Sequence, residues 1–74
     1  MQDRRVTLQQ FAPGDLVTFH KPHRASKPTT PKVNGIPADQ VGIFLSSAGG
    51  WAEIDMSFST GRKLKVELSE LRKV

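Results

Sequence analysis

Residues 41–68, VGIFLSSAGGWAEIDMSFSTGRKLKVEL, contain three consecutive segments in which apolar and polar side chains alternate. Alternation with a period of two is typical of strands that bury one face and expose the other. Short stretches that end in glycine, at 47–50 and 59–61, separate the segments, and glycine is favoured in tight hairpin turns. Residues 41–68 therefore predict an antiparallel meander of three strands.

The same alternation predicts which side chains face the core. The three strands are expected over 41–46, 51–58 and 63–68, with Phe44 and Trp51 on the outer faces of the first and second. The side chains expected to face inward are Val41, Ile43 and Leu45, then Ala52, Ile54, Met56 and Phe58, and finally Leu64, Val66 and Leu68.

One further strand is predicted on the N-terminal side of the meander. Residues 12–15, APGD, are typical of a turn, because proline presets φ and glycine accepts unusual dihedral angles. The following segment, 16–20, alternates, with Val17 and Phe19 on one face and Thr18 on the other. A strand buried on one face is therefore expected here.

The two ends of the chain carry weaker patterns. Residues 69–72, SELR, predict one helical turn, with Ser69 as its cap and Leu71 packed beneath the sheet. Residues 1–10 are expected to be a flexible N-terminal segment, in which 6–8 form either a short edge strand or a helical turn.

Between the first strand and the meander lies an insert, residues 20–40, HKPHRASKPTTPKVNGIPADQ. It holds four of the five prolines, and proline excludes a helix interior or a central strand. Residues 34–35, Asn-Gly, favour a tight turn. Loops of this length are usually either functional or disordered, and the prolines predict a semi-stiff, exposed loop.

The charge of the chain is concentrated in this insert. Residues 16–38 carry four basic residues and no acidic one, whereas the remainder carries seven of each, so that this segment accounts for the net charge of +4. A localised basic patch predicts an anionic partner, and the alternative is a solvated loop that lysines keep soluble. The four basic residues are Lys21, Arg24, Lys27 and Lys32.

The order of these motifs resembles the SH3-like small β-barrels, most closely the bacterial and phage type related to KOW and Tudor-like domains. The resemblance implies one all-β domain over 11–74, a small barrel of about five short antiparallel strands. It also implies that the insert occupies the position of the long RT-type loop and that one helical turn lies near the C-terminus. The matching motifs are GDLV at 14–17, VGIFL at 41–45, WAEI at 51–54, LKVEL at 64–68 and SELRKV at 69–74.

Several classes of protein are excluded by composition. The chain has no cysteine, which removes disulfides, thiolate zinc sites and thiol nucleophiles and suits a reducing compartment. The longest apolar run, 41–45, is too short to span a membrane, and the first residues lack an apolar signal core. A cytoplasmic protein without a membrane partner is therefore expected.

Catalytic and metal-binding constellations are also weak. His20 and His23 lack the third ligand that a metal site needs, so no metal or other cofactor is expected. Glu53 and Asp55 share the outer face of one strand and are explained as cross-strand partners of lysines on the next strand. The sequence predicts neither an enzyme nor a small-molecule substrate.

Nucleic acid, either RNA or a single strand, is the expected partner. The basic residues of the insert would contact phosphates, Arg62 and Lys63 would extend the track, and Trp51 would stack on a base. Phe44 either offers a second exposed ring or is buried by Val6, Leu8 or Phe11.

The alternative is a protein–protein adaptor that docks on an acidic surface of a larger machine such as RNA polymerase. A stiff loop loses little entropy on docking, and Arg24 would be its anchor because arginine pairs bidentately with carboxylates. The chain is expected to be a monomer or a weak homodimer, the latter formed along the edge at 6–8 or 63–68.

Overall fold

Short strands dominate residues 11–74, the part of the chain that the computed structural model describes. Five of these strands form one antiparallel sheet in the order β6-β5-β4-β1-β7, and β2 and β3 form a separate hairpin. The predicted all-β class and the β4-β5-β6 meander are confirmed. The strands are β1 (Leu16–Phe19), β2 (Lys32–Val33), β3 (Ile36–Pro37), β4 (Gly42–Ala48), β5 (Trp51–Asp55), β6 (Lys63–Glu67) and β7 (Leu71–Lys73).

Glycine closes the first hairpin of the meander. Ala48 pairs with Trp51 across Gly49 and Gly50, which have φ values of 60° and 84°. Consecutive residues with positive φ give a turn whose twist matches that of the flanking strands, and glycine adopts this conformation without a steric penalty. The predicted turn at 47–50 is therefore confirmed, with its two central residues at 49 and 50.

The predicted inner face of β4 is wrong at Ile43 and Leu45, whereas Val41, which directly precedes β4, is fully buried as predicted. Phe44 is buried, with 3% of its surface exposed, whereas Ile43 and Leu45 are half-buried. Phe44 lies opposite Ile54, and residues directly opposite in an antiparallel pair share one face of the sheet. Phe11 covers Phe44, with the ring centroids 5.3 Å apart and nearly parallel. Phe11 is one of the residues that the sequence offered as a cover for Phe44.

β1 is buried on both faces, although the sequence predicted only one buried face. Val17 and Phe19 belong to the core, as expected, and Thr18 is only 3% exposed. Thr18 lies beneath the end of the insert, where its hydroxyl donates to the carbonyl oxygen of Gln40 at 2.5 Å. The insert therefore covers the face of β1 that the alternating pattern assigned to solvent.

β5 is shorter than predicted, because the chain turns directly after Met56. The carbonyl oxygen of Met56 accepts hydrogen bonds from the backbone N–H groups of Ser59 and Gly61, both at 2.9 Å. This turn ends the alternation, so Phe58, which was predicted to face inward, is 40% exposed. The predicted inward positions of Ala52, Ile54 and Met56 are confirmed.

The helical turn near the C-terminus is confirmed as the 3-10 helix Leu68–Glu70, which connects β6 to β7. The predicted cap is wrong, because Ser69 lies inside this helix and Glu67 precedes it without a side-chain capping bond. Leu71 begins β7 and is buried, as expected.

The predictions for residues 1–10 lie outside the described residues. They include the strand or helical turn at 6–8 and the homodimer edge at the same residues. Within 11–74, no helix is long and apolar enough to cross a membrane.

Candidate functional site

A groove of about 660 Å³ lies between the insert and the β5–β6 turn (residues 56–61), and we call it the basic groove. Its apolar lining comes from Phe19 and Met56, which are buried core residues, and from half-buried Leu64. The remaining lining is polar or charged and comes from both sides. The insert contributes His23, Arg24 and Asp39, and the other side contributes Ser59, Thr60, Arg62 and Lys63.

Three cations from two distant parts of the sequence meet at the basic groove. Arg24 comes from the insert, whereas Arg62 and Lys63 follow the β5–β6 turn, and all three are exposed. Among residues 11–74, one carboxylate lines the groove, that of Asp39, and it accepts a hydrogen bond from the Ser26 hydroxyl at 2.5 Å. The carboxylate thus has a partner within the insert, and the groove keeps an excess of positive charge.

Gln40 fixes the part of the insert that carries Arg24. Its side chain is 6% exposed, its Oε1 accepts from the backbone N–H of His23, and its Nε2 donates to the backbone carbonyl of Arg24, both at 2.8 Å. The carboxamide therefore supplies these two backbone groups with the hydrogen bonds that a neighbouring strand would otherwise provide. Arg24 is held at the groove by backbone hydrogen bonds, while its guanidinium remains exposed.

The rest of the insert is also held by local contacts. Asn34 and Gly35 have φ values of 52° and 82° and close the β2–β3 hairpin, which confirms the predicted Asn-Gly turn. The backbone N–H of Ala38 donates to the carbonyl of Pro31 at 2.7 Å, and the 3-10 helix Ala38–Gln40 follows. The proline content predicted an insert without regular structure, but the insert contains a short hairpin and a 3-10 helix. As predicted, neither a central strand nor an α-helix forms in it.

The other basic residues of the insert do not line the basic groove. Lys21 lines a neighbouring groove of about 450 Å³ together with His20 and Glu70. Lys27 accepts a turn hydrogen bond from Thr30 through its carbonyl oxygen, and Lys32 lies in β2. Of the four cations that the sequence grouped as one patch, the structure places Arg24 beside Arg62 and Lys63.

Trp51 is exposed but lies apart from the groove. It begins β5, whereas Asp55, at the other end of this strand, pairs with Lys63. Four residues of a strand span roughly 13 Å, so that the two ends of β5 are well separated. Trp51 lies opposite Glu67 and lines a shallow pocket with Glu53 and Lys65. The predicted combination of Trp51 with the phosphate-contacting cations is therefore not assembled at one place.

Two residues at or beside the groove were not singled out from the sequence as binding residues. His23 lines the groove and packs against Phe19, with a centroid distance of 4.9 Å. Phe58 is exposed in the β5–β6 turn. The small polar residues around it in 57–61, SFSTG, are typical of a turn, and this signal could have shown that the strand ends before Phe58.

Within residues 11–74, no group of three or more His, Cys, Asp or Glu residues could hold a metal ion. Glu53 lies opposite Lys65 and Asp55 lies opposite Lys63 in the β5–β6 register, which confirms the predicted facing positions, and their ion pairing stays a prediction. Opposite charges at facing positions support the pairing of β5 with β6.

Comparison of the chain with protein-family models, curated proteins and solved structures gave no significant match. Function is therefore inferred from the residues and geometry of the basic groove.

Replacing Gln40 by alanine is expected to release the insert from the sheet. The variant leaves the His23 N–H and the Arg24 carbonyl without their partner, so the free energy of unfolding should fall by about 1–3 kcal/mol. Amide hydrogen exchange at His23 reports the contact directly and should become faster.

Gln40→Met is the matched control, because methionine fills a similar volume without either hydrogen bond. Faster exchange at His23 in both variants assigns the effect to the hydrogen bonds. Unchanged exchange at His23 in Gln40→Ala would show that the carboxamide does not hold the insert.

Proposed function

We propose that this chain is a non-enzymatic regulatory binding module of the cytoplasm whose basic groove binds nucleic acid, either RNA or a single strand. The observation that carries the proposal is the meeting of Arg24 with Arg62 and Lys63 at one groove. Cations that line a groove can follow a phosphate backbone, and such contacts supply most of the affinity for non-specific nucleic-acid ligands.

The polar lining of the groove supports the same partner. Ser59 and Thr60 present hydroxyl groups beside the cations, and hydroxyl and cationic donors are the usual contacts to phosphate oxygens. In the described part of the chain, the groove cations outnumber the Asp39 carboxylate, and this excess of positive charge disfavours a cationic ligand.

A single strand fits the fold better than a duplex. Reading a major groove takes an α-helix or a two-stranded ribbon long enough to enter it. The described residues contain no α-helix, and the β2–β3 hairpin has only two residues in each strand. Single-stranded ligands are instead bound in charged grooves beside exposed rings, which the surface of this domain offers.

The proposal includes an SH3-like fold for residues 11–74. It is supported by the strand order β6-β5-β4-β1-β7, by the long insert between β1 and β4, and by the 3-10 helix Leu68–Glu70 before the last strand. In this scheme the insert occupies the RT-type loop. Because SH3-like scaffolds serve many functions, the fold supports a binding role in general and the groove specifies the partner.

Titration of a fluorescently labelled single-stranded oligonucleotide at 50 and 200 mM salt tests the function. Three phosphate contacts predict a slope of log K against log salt of about −2, because each contact on a single strand contributes about −0.7. Affinity should therefore fall roughly 20-fold over this fourfold change in salt. Absence of binding at 50 mM salt would overturn the proposal.

A protein partner with an acidic surface, as found on large assemblies such as RNA polymerase, is the second candidate. The observation that favours it is the anchoring of the insert by Gln40 and Asp39, since a pre-organised loop loses little entropy on docking. Binding of the isolated protein to a single-stranded oligonucleotide at low salt separates the two candidates. Saturable binding at the groove favours nucleic acid, whereas capture of a protein partner together with no oligonucleotide binding favours protein docking.

A further inference from the structure

Phe58 is an exposed ring on the turn that directly precedes two of the groove cations. The β5–β6 turn leaves 40% of Phe58 accessible, and Arg62 and Lys63 directly follow this turn. We propose that Phe58 is the stacking platform for an unpaired base whose neighbouring phosphates contact Arg24, Arg62 and Lys63. This inference rests on the proposed function. It adds a contact to the base, whereas the cations contact only the phosphates.

Phe58 is adjacent in sequence to residues that line the basic groove. It immediately precedes Ser59 and Thr60, which line the groove, and consecutive Cα atoms are about 3.8 Å apart. The Cα atom of Phe58 is therefore within about 8 Å of that of Thr60. A base on this ring and a phosphate at the cations would belong to the same or adjacent nucleotides.

The turn holds Phe58 and the cations in a fixed relation. The carbonyl oxygen of Met56 accepts from the N–H groups of Ser59 and Gly61, and the N–H of Met56 donates to the carbonyl of Arg62, all at 2.9 Å. These bonds close the turn on both sides of Phe58. A ring on a closed turn loses less conformational freedom on binding than one on an open loop.

A single exposed phenylalanine is common on protein surfaces and indicates nothing by itself. The comparison with Trp51 selects Phe58. Trp51 is similarly exposed, at 45%, but it lies opposite Glu67 and shares a shallow pocket with Glu53 and Lys65, so that carboxylates outnumber cations beside it. Carboxylates beside a ring repel the phosphates of a stacked nucleotide, whereas cations attract them. The cations therefore make Phe58 the ring at which stacking and phosphate contacts combine.

The test compares two ligands of equal length, a single-stranded oligonucleotide and its abasic counterpart, which keeps the phosphates and lacks the bases. Phe58→Ala should weaken binding of the oligonucleotide about tenfold or more, since stacking of one base on an aromatic side chain accounts for such a factor. Binding of the abasic ligand should stay unchanged. Phe58→Tyr, which keeps the ring, should bind the oligonucleotide like the unaltered protein.

Trp51→Ala is the matched control, because it removes the other exposed ring without touching the groove, and its affinity for the oligonucleotide should be unchanged. Equal binding of the oligonucleotide by Phe58→Ala and the unaltered protein would overturn the inference and leave the proposed function standing. An unaltered protein that binds neither ligand at low salt would overturn both. Loss of a protein partner by Phe58→Ala, with oligonucleotide binding intact, would assign the ring to protein docking and overturn the inference.

Discussion

Reversing the three groove cations, in the variant Arg24→Glu/Arg62→Glu/Lys63→Glu, is expected to lower the affinity for a single-stranded oligonucleotide more than about 100-fold. Each substitution removes a phosphate contact and places a carboxylate in the path of the phosphate backbone. Like charges brought together at an interface cost several kcal/mol, and each 1.4 kcal/mol is about a factor of ten in affinity. Fluorescence anisotropy at 50 mM salt measures the loss. All three side chains are exposed, so the variant should fold.

The matched control is Lys21→Glu/Lys27→Glu/Lys32→Glu, which reverses the insert cations that do not line the groove. Both variants change the net charge from +4 to −2, because each substitution of a cation by glutamate lowers the net charge by two. The control should lose affinity only through the long-range field, which salt screens, and should stay within about tenfold of the unaltered protein. Equal losses of affinity in the two variants would contradict a groove-specific interaction. They would indicate that binding depends on the overall positive charge and not on the position of the cations.

Replacing Phe44 by alanine is expected to give the largest loss of stability. Phe44 is 3% exposed, lies opposite fully buried Ile54 and stacks on Phe11 at 5.3 Å. Truncation of a buried phenylalanine costs about 3–5 kcal/mol, because the removed ring leaves a cavity that its neighbours fill only in part. A domain of this size has only about 4–11 kcal/mol of total stability. Urea unfolding followed by the fluorescence of Trp51 would measure the change.

Ile43→Ala is the control for this prediction. Ile43 is the neighbouring residue on β4, is half-buried and pairs with Asp55 at the strand end. Its truncation should lower the free energy of unfolding by about 1 kcal/mol, since less apolar surface returns to water. A larger loss at Ile43 than at Phe44 would show that β4 turns its other face to the core, as the alternating pattern alone suggested.

The meander could be predicted because both of its signals are local. The alternation in β5 and β6 assigns Ala52, Ile54 and Val66 to the core, and the glycines at 49 and 50 supply positive φ for the hairpin. Neither signal requires knowledge of the rest of the chain. Turn chemistry and side-chain periodicity are properties of a few consecutive residues.

The inner face of β4 could not be predicted in this way. Residues 41–45, VGIFL, are apolar apart from one glycine, so two alternating patterns compete in the same segment. The pairing of Phe44 with Ile54 decides between them, and a register shift between Phe44 and Ser46 changes the pattern further along the strand. Pairing and bulges depend on the partner strand and leave no periodic signal in β4 itself.

The basic groove was only partly accessible from sequence. The concentration of charge in the insert pointed to Arg24, and Arg62 and Lys63 were added as an extension of the track. Their meeting at one groove depends on Gln40, whose hydrogen bonds fold the insert back, and a buried glutamine has no recognisable sequence signature. Trp51 was favoured as the exposed ring by its position on the outer face, but strand register places it at the opposite end of β5 from Lys63.

The most direct test of the basic groove is an NMR titration of the ¹⁵N-labelled protein with a single-stranded oligonucleotide at low salt. Chemical-shift changes map the contact surface residue by residue without any substitution. Changes should concentrate at His23 and Arg24 on one side and at residues 58–63 on the other, and they should fade as salt is added. Shifts confined to the far end of β5 around Trp51, or no shifts at low salt, would contradict binding of nucleic acid in the groove.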